Sequence, residues 1–320
     1  MSLARMKRLF FVILTLLILL PSMAEAQRWK RFRRQIVGGV GATNFLGELG
    51  GGNNIGRPGP ADLDLAATRP AALIGYRYQL NSYVFLRSNL TWGVLRGDDK
   101  FTEEPFRNGR NLRFRTGFFE LNVMGEFYML NNARGNLYRL RGVRGRRGLG
   151  LDVYLFGGIG LMHFNPKGQD QNGDWVALQP IGTEGQGLPG EPDKYNRLVM
   201  TIPYGIGLGK TIDRYWQVNF EFTMRFTFTD YLDDVSTDYY GRDNLRQAKL
   251  ANGASQAEAD QAAYLSDPNI YHAMPEVGIP RSNQLVGETR GNPDFNDTFM
   301  TGMITISRKI VQRRRSRPKF

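Results

Sequence analysis

Residues 216–229 read WQVNFEFTMRFTFT, and their alternation decides the fold. Val218, Phe220, Phe222, Met224, Phe226 and Phe228 fall on one parity. Gln217, Asn219, Glu221, Thr223, Arg225, Thr227 and Thr229 fall on the other. Side chains two apart share one face of a strand, whereas a helix of period 3.6 would scatter both sets around its circumference. The segment is a strand with one apolar and one polar face.

The same pattern recurs outward from there. Within 83–95, Val84, Leu86, Leu90, Trp92 and Val94 oppose Arg87, Asn89, Thr91 and Gly93. Just before it, Ala72, Ile74, Tyr76, Tyr78 and Leu80 oppose Gly75, Arg77 and Gln79. Within 118–129, Phe119, Leu121, Val123, Phe127 and Met129 oppose Glu120, Asn122 and Glu126. Weaker strands are read at 34–43, 151–164, 198–212 and 298–310. The third of these has a small face of Thr201, Pro203, Gly205, Gly207 and Gly209, and Pro203, which lacks a ladder donor, points to a bulge. Strands of a soluble sandwich usually run about five or six residues. These are long enough to cross a bilayer at a tilt of about 45°. The expectation is an all-β chain: an eight-stranded antiparallel transmembrane β-barrel with long extracellular loops.

The connections fit that reading. Asn81-Ser82 and 212–215 are tight, while 44–69, 96–112, 165–196 and 230–297 are long. Starting the first strand at the periplasm places the long loops outside and the tight turns inside. The connection 130–150 is the exception, a long segment on the periplasmic side. In the last external loop, Ser255 to Leu265 (SQAEADQAAYL) reads as a short helix with Ser255 as N-cap and Glu258 completing a capping box.

Arg5, Lys7 and Arg8 precede the apolar run LFFVILTLLILL (9–20), followed by Ala24-Glu25-Ala26. This is the layout of a cleavable Sec signal peptide over 1–26, because the run is shorter than the roughly 18–20 residues a membrane helix needs. Residues 27–320 then form one outer-membrane barrel domain, with a basic N-terminal segment at 27–34 and a basic tail at 311–320. The chain has no cysteine, which removes disulfides, thiolate metal sites and thiol nucleophiles.

The inward faces supply Arg77, Arg87, Glu120, Glu126, Glu221 and Arg225. An eight-stranded barrel is just wide enough for side chains to fill. These six are read as an ion-pair network plugging the lumen, in preference to a proton or ion path. Tyr83, Trp92 and Trp216 fit interfacial aromatic girdles.

The net charge of +12 is unevenly placed. Arg28, Lys30, Arg31, Arg33 and Arg34 open the mature chain, and Arg308, Lys309, Arg313, Arg314, Arg315, Arg317 and Lys319 close it. Arg134, Arg139, Arg141, Arg144, Arg146 and Arg147 crowd the connection 130–150 without an acid among them. All three clusters map to the periplasmic end, which argues against a nucleic-acid partner. Attraction to outer-membrane lipid headgroups, about 1 kcal/mol per cation, is one use for them. It does not explain why a turn grew long and filled with arginine. A docking face for an acidic periplasmic partner does, and those six arginines are the candidate partner-binding residues.

Catalytic chemistry has little to build on. His163 and His272 are the only histidines, so no catalytic, metal or cofactor site and no small-molecule substrate is read. His163 with a serine from a neighbouring strand is the one imitation of a lipid-modifying barrel enzyme. The acids between Asp230 and Asp243 lack a calcium-loop order and read as solvated turn caps. Gly205-Ile206-Gly207-Leu208-Gly209 is no dinucleotide fingerprint, since no helix follows its strand.

Several segments together carry a resemblance: NFLGELGG (44–51), RSNLTWG (87–93), GDD (97–99), FNP (164–166), LQPIGTEGQG (178–187), FTDYLDDVS (228–236) and RGNP (290–293). In this order they resemble the PorG-like outer-membrane barrel proteins of Bacteroidetes, over nearly the whole mature chain. That resemblance implies a part in the type IX secretion system, which in some species also supports gliding. It implies an accessory barrel meeting a periplasmic ring of PorK- and PorN-like components, not the export conduit. The arginine-rich tail departs from barrels that end on a strand-terminal aromatic. A surface adhesin or receptor working through the external loops is a further alternative.

Overall fold

The computed structural model describes residues 32–47, 49, 67–131, 150–274, 277 and 285–311. The expected signal peptide and the arginine-rich tail from 312 onward lie outside them. Among the described residues nine strands form: β1 (Arg34–Leu46), β2 (Arg69–Gln79), β3 (Val84–Asp98), β4 (Arg113–Leu130), β5 (Leu151–Gln169), β6 (Trp175–Ala177), β7 (Leu198–Thr211), β8 (Trp216–Thr227) and β9 (Thr298–Ile310). Eight of them close a barrel in the order β1-β2-β3-β4-β5-β7-β8-β9, with β9 returning to β1. Every pairing is antiparallel. The short β6 only extends the outer end of β5.

The walls follow the alternation residue by residue. On β4, Phe114, Thr116, Phe118, Glu120, Asn122, Met124, Glu126 and Tyr128 are buried, and the residues between them face out. The outward apolar side chains of β4 run from Phe119 to Met129, ten residue steps. At roughly 3.4 Å per step and a tilt of roughly 40°, that belt stands about 26 Å tall, the height of the apolar band of a membrane barrel. Among the described residues no helix is long and apolar enough to cross a membrane.

Tight turns close one end. Asn81 Oδ1 accepts from the amides of Tyr83 and Val84 at 2.8 and 2.9 Å, and Asp213 Oδ1 accepts from those of Tyr215 and Trp216 at 2.6 and 2.7 Å. A short side-chain acceptor that satisfies two turn amides is why Asn and Asp occupy these positions. The opposite end carries the long loops. These hold helices α1 (Pro105–Arg110), α2 (Arg242–Ala251) and α3 (Gln256–Ser266). Helix α3 has the expected Ser255–Glu258 capping box; α1 and α2 were not anticipated from the sequence.

Pro203 does not make a bulge. The β7–β8 ladder runs through Pro203 opposite Arg225. The β5–β7 ladder skips from Gly157–Tyr204 to Gly160–Thr201, three residues on each strand, so the register is kept. The missing donor is absorbed as a gap. The register shift in the barrel falls elsewhere, between Tyr128 and Leu130 on β4.

Candidate functional site

The barrel interior is occupied from end to end by side chains from every wall. Near the turn end, Phe85, Met124, Tyr128, Tyr154 and Phe156 form an apolar cluster, with Tyr128 stacked on Tyr154 at 4.6 Å between ring centroids. Above it lie the charges. Arg87 Nη1 meets Glu221 Oε1 at 2.6 Å and Arg87 Nε meets Glu126 Oε1 at 2.9 Å. Arg77 Nε meets Glu126 Oε2 at 3.0 Å, and its Nη2 reaches Glu221 Oε1 at 3.5 Å. The Tyr154 hydroxyl donates to Glu221 Oε1 at 2.6 Å. Two arginines and two glutamates from β2, β3, β4 and β8 thus neutralise one another across the lumen, all but sealed from solvent.

The other two residues of the expected network pair separately. Arg225 Nε contacts Glu120 Oε2 at 2.8 Å. Glu120 also accepts from Thr201 at 2.7 Å and Asn122 at 2.9 Å, while Arg225 Nη1 donates to Thr301 at 2.8 Å. The six residues form two balanced sets instead of one network. Two arginines against two glutamates, and one against one, leave no net charge within either set, which suits a low-dielectric interior.

A second apolar cluster fills the loop end: Phe45, Leu95, Phe114, Phe118, Phe164 and Phe299 from the walls, with Leu49, Leu232 and Val235 from loops above. Those loops are locked together. Glu184 accepts from the amides of Ser236 and Thr237 at 2.9 and 3.2 Å and from Arg290 Nη1 at 2.7 Å. Arg290 also donates to the Asp234 carbonyl at 2.5 Å. Arg110 makes a two-pronged contact with Asp99 at 2.7 and 3.0 Å and reaches the Arg290 carbonyl at 3.4 Å. The Leu49 amide donates to Asp233 at 3.4 Å. The described parts of all four external loops therefore join in one cap over the barrel mouth.

Of the acids between Asp230 and Asp243, Asp238 and Asp243 are exposed as expected, but three are not solvated turn caps. Asp230, Asp233 and Asp234 are buried. Asp234 takes a left-handed backbone conformation, φ 67°, and accepts from the hydroxyls of Thr183 and Tyr195 at 2.5 Å each. Burial raises its carboxyl to about 6, against the pull of Arg290 and those two hydroxyls. Among the described residues no cluster of three or more potential metal-binding side chains occurs. The sequence reading missed Asp99, Arg110, Glu184 and Arg290 as interior residues. The apolar interleaving of Leu232 and Val235 among acids marks only 230–235 as a segment facing a core, and no comparable signal flags those four.

His163 faces outward on β5, opposite Phe119 on β4 and Leu198 on β7. Neither neighbouring strand contains a serine, so the serine partner that the lipid-enzyme alternative needs is not on the adjoining walls. Arg134, Arg139, Arg141, Arg144, Arg146 and Arg147 lie outside the described residues, as does most of the connection they occupy.

The chain matches no family model and no curated protein. Among solved structures it is similar to Ail, the attachment invasion locus protein of Yersinia pestis, at 9% identity and a TM-score of 0.35, covering 87% of this chain and 97% of that one. It is similar to Neisserial surface protein A at 7% identity and a TM-score of 0.38, with 87% and 97% covered. The outer membrane protein OprG from Pseudomonas aeruginosa gives 6% identity and a TM-score of 0.34, with 88% and 98% covered. The fold stands on the closed strand ladders and not on these likenesses.

Proposed function

We propose that this protein is a non-enzymatic outer-membrane barrel that anchors a type IX secretion machine, docking PorK- and PorN-like ring components through arginines at its periplasmic end. The outward apolar belt, with Trp216 and Tyr83 at its turn-end rim, supports residence in a bilayer. One observation carries the rest: the lumen is filled by two neutralised charge sets between two aromatic clusters, beneath a cap of four joined loops. A barrel built this way serves as a plug and a platform, since a conduit needs an open bore. That matches the accessory role implied by the resemblance of the segments at 178–187 and 228–236 to PorG-like barrels.

Pull-down of the tagged full-length protein from mildly solubilised native membranes tests the reading. Co-recovery of the ring components is expected. Exchanging Arg144, Arg146 and Arg147 for Glu should lower that recovery at least tenfold while the heat-modifiable gel shift of a folded barrel persists. Unchanged recovery in the charge-reversed variant would overturn the docking face, and the absence of ring components from the wild-type pull-down would overturn the assignment.

A further inference from the structure

At the turn end, the outer wall is broken by a groove of about 440 Å³ between β1, β8 and β9. Its floor is apolar: Ile36, Ile310 and Val311 with the rings of Tyr215 and Trp216. Strand register explains why these meet, because Arg308 pairs with Ile36 on one side and Trp216 on the other. Row by row, outward-facing side chains of three adjacent strands converge on one spot.

Arg308 and Lys309 line the groove, and Arg214 stands beside it through Phe32, whose ring meets that of Tyr215 edge-on at 6.0 Å. The Arg308 guanidinium lies over the Trp216 ring at 5.3 Å, and that of Arg214 lies over the Phe32 ring at 5.7 Å. Both side chains are exposed, and neither has a carboxylate partner among the described residues. The nearby Asp213 is already engaged in capping its turn. Arginines held over aromatic faces keep their charge and leave outward-facing N–H groups free to bind phosphate oxygens.

We infer that this groove is a binding site for an anionic diacyl phospholipid of the periplasmic leaflet, of the phosphatidylglycerol type. The acyl chains would lie along Ile36, Ile310 and Trp216, and the phosphate would sit between Arg214 and Arg308. The volume lies within the usual 300–1,000 Å³ of ligand sites. The chemistry is what such a lipid requires: an apolar trough continuous with the belt, capped at headgroup height by exposed cations and amphipathic rings. This inference rests on the reading of the chain as a bilayer-spanning barrel.

Native mass spectrometry of the full-length protein, released from micelles containing equal phosphatidylglycerol and phosphatidylcholine, tests it. Wild type should retain phosphatidylglycerol preferentially. Each arginine near a charged headgroup is worth about fivefold, so Arg214→Gln with Arg308→Gln should cut that preference at least tenfold. Arg115→Gln serves as the control. Arg115 stacks on Trp175 at 4.8 Å at the opposite end of the barrel, and its loss should leave the preference intact. Equal retention of both lipids by wild type, an unchanged preference in the double variant, or an equal drop in the control would each overturn the site. Gel heat-modifiability and detergent partitioning are scored on the same samples. A heat-modifiable, detergent-phase protein without lipid preference sinks only this site, whereas a water-soluble chain without the shift sinks the barrel reading beneath it.

Discussion

Tyr154 on β5 and Gly207 on β7 are register partners, and a Cβ built on Gly207 would fall 2.1 Å from Cζ of the Tyr154 ring. The glycine is the space into which the ring lies. Held there, the tyrosine stacks on Tyr128 and sends its hydroxyl to Glu221. Gly207→Ala should displace the ring and loosen both contacts. Overpacking of this kind costs about 1–3 kcal/mol. The urea midpoint of the heat-modifiable band should fall accordingly, while Gly38→Ala, where an added Cβ meets nothing within 4 Å, should leave it nearly unchanged. Equal midpoints for the two variants would remove Tyr154 from this role.

Glu221 is the hub of the four-residue charge set, touched by Arg77, Arg87, Tyr154 and, at 3.4 Å, Thr305. Removing its charge leaves two buried guanidiniums facing a single glutamate. Breaking a buried pair on one side costs about 3–5 kcal/mol. Glu221→Leu should therefore lower stability far more than Gln217→Leu, a substitution on the same strand face that removes a neutral side chain. Combining Glu221→Leu with Arg87→Met removes one charge of each sign and should recover part of the loss. Urea titrations of wild type, Gln217→Leu, both single variants and the double check this, and a double variant weaker than the sum of its singles would contradict the coupling.

Arg290 ties the second, third and fourth loops by meeting Glu184, the Asp234 carbonyl and, through its own carbonyl, Arg110. Arg290→Met should strand the Glu184 carboxylate and open the cap by the same mechanism, at a cost of about 3–5 kcal/mol. The strand ladders do not depend on it. Limited proteolysis should then cut the loops at 178–197 and 230–245 at least tenfold faster, with the gel shift of the barrel retained. If cleavage rates match wild type, the cap is held by its apolar contacts alone.

The walls of this barrel were legible because a strand has a period of two and a barrel interior is dry. Once Phe220 and Phe222 are known to face out, Glu221 must face in, and a charge facing in must find partners such as Arg87. What the alternation does not specify is which inward residues meet across the lumen. Arg225 pairs with Glu120 and stays apart from Arg87 because strand order and register set that distance. The cap was illegible for a different reason. Loop residues have no period, so Glu184 and Asp234 look like any surface acids until Arg290, far along the chain, is brought to them. Composition alone gave the opposite expectation for Asp234, and the close neighbours Leu232 and Val235 were the cue that it is buried.

That burial has a pH signature. The Asp234 carboxyl is raised to about 6, first by desolvation, with Glu184 adding to the rise and Arg290, Thr183 and Tyr195 opposing it. A folded value above the ordinary carboxylate range means the closed cap binds a proton more tightly than the open one. This group should therefore favour closure increasingly as pH falls from about 7 through 6 toward 4, and oppose it above that window. Amide exchange at Ser236 and Thr237, corrected for intrinsic rates, reads the closed state directly because both amides donate to Glu184. Protection should rise as pH falls through about 6. Asp234→Asn keeps a residue type that tolerates the left-handed backbone and removes the titration, so its protection should be flat across that window. Wild-type protection that falls on acidification would remove Asp234 from control of the cap.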